Sequence, residues 1–143
     1  MESPVPESRP VVLCVDDDPA VLRSLHRLFR EEPVEVLSTL KPELALKWIG
    51  EHEVDVLLTD QRMPGMSGTS LVEEARKCSP RTSCVLLTAY PHEVTLMTRA
   101  LQEADGLISK PWDGPMLRST VRQILRERDL EEREAQPPSG DGR

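Results

Sequence analysis

The sequence predicts an α/β domain in which strands and helices alternate five times, folded as a three-layer, doubly wound parallel sheet. Two observations lead to this prediction. Short apolar runs that lack a polar face recur along the chain, as in strands that are covered on both sides. Between them lie segments whose apolar residues recur at helical spacing. Regular alternation of this kind requires parallel strands joined by right-handed crossovers, with helices on both faces of the sheet.

The first two strand and helix units are predicted between residues 11 and 50. The first strand is a short apolar run of β-branched character that ends on three consecutive aspartates. Asp18, the last of them, can cap the following helix, and Pro19 suits the first position of that helix. The predicted elements are a strand at Val11–Val15, a helix from Pro19 that is closed by Glu31–Pro33, a weaker strand at Val34–Leu37, and a helix that opens at Lys41-Pro42 and ends near Gly50.

The central strand of the predicted sheet ends on Asp60. The run before this residue is almost wholly apolar, so we expect it to be buried on both faces, and a loop rich in Pro and Gly follows it. The remaining predicted elements are a helix with Leu71, Val72, Ala75 and Cys78 on its inner face, a strand at Ser83–Thr88, a helix with Met97, Ala100, Leu101 and Ala104 on its inner face, a strand at Gly106–Ser109, and a last helix from about Gly114 to Glu134.

One domain is predicted to occupy residues 11–130 of the 143. Residues 1–10 contain three prolines and alternating charges, which is typical of a disordered lead-in. Residues 131–143 are predicted to form the end of the last helix and a disordered tail. The whole fold is therefore expected between these two segments.

Composition excludes several classes of function. The net charge is −7 and aromatic residues make up 3% of the chain, so we expect no direct binding of nucleic acid by this segment. The chain contains no run of 18 apolar residues, and its N-terminus lacks the features of a signal peptide, so no membrane association is expected. Three cysteines without a CxxC pair suit reduced thiols. We therefore expect a cytoplasmic protein.

Polar residues follow four of the five strands at the point where each strand ends. In the flavodoxin-like strand order 2-1-3-4-5 the first and third strands are neighbours at the switch point, where ligands bind. Carboxylates at this place repel one another by about 1 kcal/mol per pair in water, and a hard divalent cation would compensate them. Mg²⁺ fits better than Ca²⁺, because it takes one or two carboxylates beside waters and phosphate oxygens. The residues that converge are Asp16, Asp17 and Asp18 after the first strand, Asp60 after the third, Thr88 after the fourth and Lys110 after the fifth.

Four motifs, VDDDP, LLTDQRMPGMSG, LLTAY and ISKPWD, follow the predicted strands in order. Together they resemble the response-regulator receiver domain of two-component signalling, over about Val11 to Leu130. The resemblance implies that Asp60 is the phosphoacceptor and that Thr88 and Lys110 contact the phosphoryl group. It also implies a cis bond between Lys110 and Pro111, which an X-Pro bond tolerates. The ligands implied for Mg²⁺ are Asp16, Asp17, Asp60 and the backbone carbonyl of Arg62.

The function implied by the resemblance is a phosphorylation-dependent signalling switch and not an enzyme, apart from self-catalysed phosphoryl transfer and loss. The donor would be a sensor histidine kinase or a phosphotransfer protein, and the output would pass to an effector domain or partner protein. The expected output face comprises the predicted fourth helix, the fifth strand and the last helix, and phosphorylation could also cause dimerisation. Leu107 occupies a position that is often aromatic in this family, so we expect softer coupling. Arg62 and Tyr90 are bulky and could shield the phosphoryl group from water.

A haloacid-dehalogenase-like phosphohydrolase is the alternative, because Asp16 to Asp18 contain a DxD sequence after a strand. Asp16 would then be the nucleophile and Asp18 the acid and base. Against this alternative, Pro19-Ala20 replaces the usual residues after the DxD, the later acidic metal pair is missing, and the chain is short. A pseudo-receiver that binds partners without phosphorylation is a third class, but the complete set of acids, Thr and Lys opposes it. The side chain that becomes phosphorylated separates the first two classes.

Overall fold

A computed structural model of the chain describes residues 9–89 and 104–135. In this part of the chain, five parallel strands form one sheet in the order β2-β1-β3-β4-β5, and four helices accompany them, as the alternation of elements predicts. The strands are β1 (Val11–Val15), β2 (Glu35–Thr39), β3 (Val56–Asp60), β4 (Ser83–Thr88) and β5 (Gly106–Ser109). The helices are α1 (Pro19–Leu28), α2 (Pro42–Glu51), α3 (Gly68–Cys78) and α4 (Gly114–Ala135).

The predicted bounds of two elements are wrong. The second strand begins at Glu35 and ends at Thr39, whereas the apolar residues alone placed it at Val34–Leu37. Its pairing with β1 determines these bounds, because Glu35 lies opposite Val11 and Thr39 lies opposite Val15. The first helix also ends earlier than predicted, at Leu28, and the chain turns back toward the sheet over the next residues. The predicted fourth helix falls largely on residues 90–103, outside the described part of the chain.

The core has two parts, one on each face of the sheet, because successive residues of a strand point to opposite faces. On one face, residues of β1 and β3 such as Leu13 and Leu57 pack against α2 and α3. On the other face, Val12 and Val56 pack against α1 and α4. All five residues of β3 are buried, as expected for the central strand. The core therefore covers both faces of the sheet.

Asp18 caps α1 as predicted. Its side chain accepts a hydrogen bond of 2.9 Å from the backbone N–H of Ala20, and Pro19 begins the helix. The three cysteines form no disulfide bond with one another, and Cys14 and Cys84 are buried whereas Cys78 is exposed. Burial, with a smaller contribution from the charge of Asp16, raises the pKa of the Cys14 thiol to about 12. Among the described helices, none has the length and apolar character needed to cross a membrane.

Candidate functional site

The parallel register brings the ends of β1, β3, β4 and β5 to one edge of the sheet. Val15 lies opposite Thr59, so the next residues of β1 and β3, Asp16 and Asp60, are neighbours at this edge. Thr88 pairs with Ser109, and its carbonyl accepts a hydrogen bond of 2.8 Å from the backbone N–H of Lys110. The strand ends that carry Asp16, Asp60, Thr88 and Lys110 therefore lie at one edge of the sheet, as predicted.

Three carboxylates form a cluster at this edge. Oxygen atoms of Asp16, Asp17 and Asp60 all lie within 4.8 Å of one another. Asp16 is 1% exposed and Asp60 is 8% exposed, whereas Asp17 is exposed to solvent. The cluster is thus buried on the side of the sheet and open on the side of Asp17, so a ligand can reach it from solvent.

Lys110 joins the two buried carboxylates. Its Nζ atom lies 2.6 Å from Oδ2 of Asp16 and 3.1 Å from Oδ1 of Asp60. Burial alone would lower the pKa of Lys110, but the hydrogen bonds and negative charges of Asp16 and Asp60 outweigh it and raise this pKa. The ammonium group therefore stays charged and lies between the two acids.

The ammonium group of Lys110 does not fully compensate the negative charge of the three carboxylates. The pKa of Asp16 is raised, mainly by burial and further by the charge of Asp60, although the hydrogen bonds from Lys110 and from the backbone N–H of Asp18 oppose this change. Additional positive charge nearby would stabilise the ionised form of such a buried carboxylate. The donor set consists of carboxylate oxygens, which hard divalent cations prefer. The residues present therefore fit a metal ion of the Mg²⁺ type.

Asp18 stands apart from this cluster. Its carboxylate is engaged with the N-terminus of α1 through Ala20, whereas its backbone N–H donates to Oδ1 of Asp16 at 2.9 Å. An acid and base for phosphate hydrolysis would instead have to reach the reacting atoms. The position of this side chain therefore favours the capping role over the role that the dehalogenase-like alternative requires.

The loop after β3 contains contacts that sequence reasoning missed. Gln61 is 6% exposed, and its side-chain oxygen accepts a hydrogen bond of 2.9 Å from the backbone N–H of Thr69. Its backbone carbonyl accepts another of 2.9 Å from the N–H of Gly68. These bonds tie the start of α3 to the end of β3, next to Asp60. A polar residue that directly follows a buried strand was the available signal.

Gly68, the first residue of α3, is the second residue near the site that sequence reasoning missed. A Cβ atom at this position would lie 2.2 Å from the backbone oxygen of Asp60 and 2.9 Å from Cδ2 of Leu86. Its backbone φ is not positive, so close approach and not backbone conformation is the reason for glycine. Gly65, in the loop before α3, does adopt a positive φ of 86°. The start of α3 thus packs directly on the backbone of Asp60, the candidate phosphoacceptor.

The other predicted site residues are placed as follows. Thr88 is buried at the end of β4, and Arg62 is exposed in the loop after Asp60. Leu107 is half-buried and packs against the part of the core that faces α2 and α3. The bond between Lys110 and Pro111 is cis, as expected from the resemblance. Tyr90 lies outside the described residues.

The sequence of the chain is similar to those of response regulators. The sequence profile of the family described as response regulator receiver domain matches residues 12–122. The response regulator protein PilR of Pseudomonas aeruginosa is 30% identical over 128 residues, which are 90% of this chain and 29% of PilR. The chain thus spans less than a third of the length of this relative.

Two solved structures are similar over most of the chain. The signal receiver domain of an HD domain-containing protein from Pseudomonas fluorescens has a TM-score of 0.81 and 28% identity, covering 95% of this chain and 100% of that one. The response regulator protein TrrA from Thermotoga maritima, solved in complex with Mg²⁺-BeF, has a TM-score of 0.74 and 30% identity. That match covers 80% of this chain and 98% of the TrrA chain.

Proposed function

Because the chain belongs to the response regulator receiver domain family, and thus is a phosphorylation-dependent signalling switch and not a phosphohydrolase, we propose that Asp60 is its phosphoacceptor. The observation that carries this proposal is the position of the Asp60 carboxylate at the C-terminal end of β3, 3.1 Å from the ammonium group of Lys110. A carboxylate becomes an effective nucleophile toward phosphorus when the charge on the phosphoryl oxygens is neutralised nearby. Lys110 supplies part of that charge.

The transfer step uses few groups of this chain. An oxygen of Asp60 attacks the phosphorus atom, a new O–P bond forms, and the bond from phosphorus to the donor breaks, with the electron pair leaving on the donor. In this proposal Lys110 moves its ammonium group toward the phosphoryl oxygens, and the Thr88 hydroxyl donates a hydrogen bond to one of them. Water later attacks the same phosphorus atom, the bond from phosphorus to the Asp60 oxygen breaks, and inorganic phosphate leaves as the carboxylate is restored. No separate enzymatic activity on another substrate is proposed.

We propose Mg²⁺ as the metal and Asp16, Asp17, Asp60 and the backbone carbonyl of Arg62 as its ligands. The cluster of three carboxylates supports this choice, as does the complex of TrrA with Mg²⁺-BeF. When bound, Mg²⁺ would neutralise charge on the phosphoryl oxygens. Asp17 is the exposed member of the cluster and would complete the metal site from the solvent side.

Addition of Mg²⁺ should stabilise the domain through this site. A ligand that binds only the folded state at ten times its Kd adds about 1.4 kcal/mol to the free energy of unfolding, which raises the Tm by roughly 2–6 °C. Thermal melts at millimolar Mg²⁺ should show this increase for the native chain. Asp17→Ala should abolish the increase without loss of stability in metal-free buffer, because Asp17 is exposed. An equal Tm increase in Asp17→Ala would contradict the ligand assignment.

The proposed partners follow from the family and from the names of the relatives. The phosphoryl donor is a sensor histidine kinase or a phosphotransfer protein. Relatives such as PilR are response regulators of which this chain spans only 29%, so the proposed output is an effector domain or a partner protein. A cytoplasmic location belongs to the same proposal, because three cysteines that form no disulfide bond with one another suit a reducing compartment. The expected output face and phosphorylation-dependent dimerisation stay predictions, since the predicted fourth helix is outside the described residues.

Chemical trapping tests the proposed function directly. The chain would be incubated with acetyl phosphate and Mg²⁺, reduced with borohydride, which converts an aspartyl phosphate to homoserine, and then mapped by peptide mass spectrometry. We expect homoserine at Asp60 only. Homoserine at Asp16 would instead support the dehalogenase-like alternative, and an unmodified chain would support the pseudo-receiver.

A further inference from the structure

A groove of about 420 Å³ lies between the segment that follows α1 and the last helix, α4. Its apolar lining consists of Pro10, Phe29, Pro33, Val34, Val121 and Leu125. Pro10 precedes β1 and Val34 precedes β2, whereas Asp16 and Asp60 lie at the opposite ends of their strands. The groove is therefore at the edge of the sheet that faces away from the carboxylate cluster, and the proposed phosphoryl transfer does not use it.

A row of arginines borders this groove. Arg118, Arg122 and Arg126 are four residues apart on α4, so they project from the same flank of the helix. Arg122 is paired with Glu32, from Nε to Oε1 at 2.8 Å and from Nη2 to Oε2 at 2.6 Å. Arg118 and Arg126 form no hydrogen bond or ion pair within residues 9–89 and 104–135. Together with the hydrogen bonds from Arg122, the charge of Arg118 helps to lower the pKa of Glu32. Neither Arg118 nor Arg126, however, is held by a direct contact with a carboxylate of the described residues, so both guanidinium groups can pair with a partner.

The charge of this border is opposite to that of the chain. The chain has a net charge of −7, yet the groove is lined by three arginines and one acid, Glu32. An adjoining polar pocket adds Arg27 and Arg30 beside Glu31. Arginines around an apolar centre are the composition that protein interfaces favour at their energetically important positions. A partner that neutralises the arginines therefore has to be acidic, and one that fills the centre has to be apolar.

We propose that this groove is a docking surface for an acidic amphipathic helix of a partner protein. Apolar side chains at i and i+4 of that helix would cover Val34 and Leu125, and Asp or Glu residues on its flank would pair with Arg118 and Arg126. The arginine row extends about 12 Å along α4, which matches two turns of a docked helix. Nucleic acid fits the groove less well, because its phosphates are not stabilised by an apolar surface and would be repelled by the carboxylate of Glu32. Since the groove is remote from Asp60, such a partner and the phosphoryl donor can bind together.

An NMR titration tests this proposal with the full chain. The probe is a blocked synthetic helix of about 16 residues, built from Leu, Ala and Glu with leucines at i and i+4, and its twin carries Lys in place of Glu. We expect the acidic peptide to shift amide signals of residues 29–34 and 118–126, with an affinity that falls as salt is added. The basic twin should leave these signals unchanged.

Reversal of charge at Arg118 and Arg126 tests whether these two arginines bind the acidic peptide. Arg118→Glu combined with Arg126→Glu should weaken binding of the acidic peptide at least tenfold. The matched control is Arg23→Glu combined with Lys47→Glu, because it changes the net charge equally at two exposed positions outside the groove, and it should weaken binding less than threefold. Intact far-UV circular dichroism in both variants would show that they fold.

Several outcomes would overturn the proposal. Unshifted groove signals at millimolar acidic peptide would do so, as would equal binding of the basic twin or equal loss of binding in the control variant. In the free chain, nuclear Overhauser contacts between Val5 and the Phe29 ring would show that the chain's own N-terminal segment occupies the groove. Concentration-dependent shifts of the same groove signals without peptide would identify a second copy of the chain as the occupant.

Discussion

Replacing Asp60 with Asn should abolish phosphorylation of the chain by acetyl phosphate and Mg²⁺. The amide that replaces the carboxylate is not a nucleophile toward phosphorus, and the neighbouring acids cannot take its place. Asp16 is 1% exposed and is held by Lys110 and by the N–H of Asp18, so its oxygens are not free to attack. Intact-mass spectrometry should show one added phosphoryl group on the native chain and none on Asp60→Asn.

Asp18→Asn is the matched control for this substitution, because it makes the same chemical change two positions beyond Asp16. Asn caps a helix as well as Asp does, so α1 and the fold should be preserved. We expect phosphorylation of this variant to remain within about twofold of the native level, since the Asp18 carboxylate contacts Ala20 and not the cluster. The dehalogenase-like alternative requires the reverse, with loss in Asp18→Asn and a persistent signal in Asp60→Asn, and that pattern would contradict the proposed role of Asp60.

The strand ends were predictable because their signals are local. Each of the strands β1, β3, β4 and β5 is an apolar run that a polar residue ends, and parallel pairing brings such ends to one edge whatever the details of the packing. The position of Asp16, Asp60 and Lys110 at one edge of the sheet follows from this rule. The bounds of β2 did not follow from its apolar residues, because an edge strand takes its limits from the strand with which it pairs.

The supporting contacts of the site depend on tertiary structure and were not predicted. Nothing in the sequence shows that the Gln61 side chain turns back to the N–H of Thr69, or that the start of α3 touches the backbone of Asp60. Both contacts join residues on opposite sides of the loop after β3, so they exist only when the loop is closed. The groove beside α4 was also missed, because its lining joins residues 29–34 to residues 118–126, which are far apart in the sequence.

Replacing Gly68 with Ala should have the largest effect on stability of any single methyl addition to the candidate site. The new Cβ would lie 2.2 Å from the backbone oxygen of Asp60 and 2.9 Å from Cδ2 of Leu86. The Leu86 side chain can move, but the carbonyl of Asp60 belongs to the central strand and can move only with the strand. Overpacking of this kind costs typically 1–3 kcal/mol, and we expect a loss of about 3 kcal/mol because backbone is involved.

The same substitution at Gly50 separates this steric effect from helix propensity. Gly50 lies in α2 with nothing within 4 Å of the position of a Cβ atom, so Gly50→Ala should raise the free energy of unfolding by roughly 0.5–1 kcal/mol. Urea denaturation at equal protein concentration would measure both changes.

Gly68→Ala should also weaken binding of beryllofluoride with Mg²⁺ at least tenfold, since α3 would push Asp60 away from Lys110. A Gly68→Ala variant as stable as the native chain, with beryllofluoride binding retained, would contradict the close contact between α3 and the backbone of Asp60.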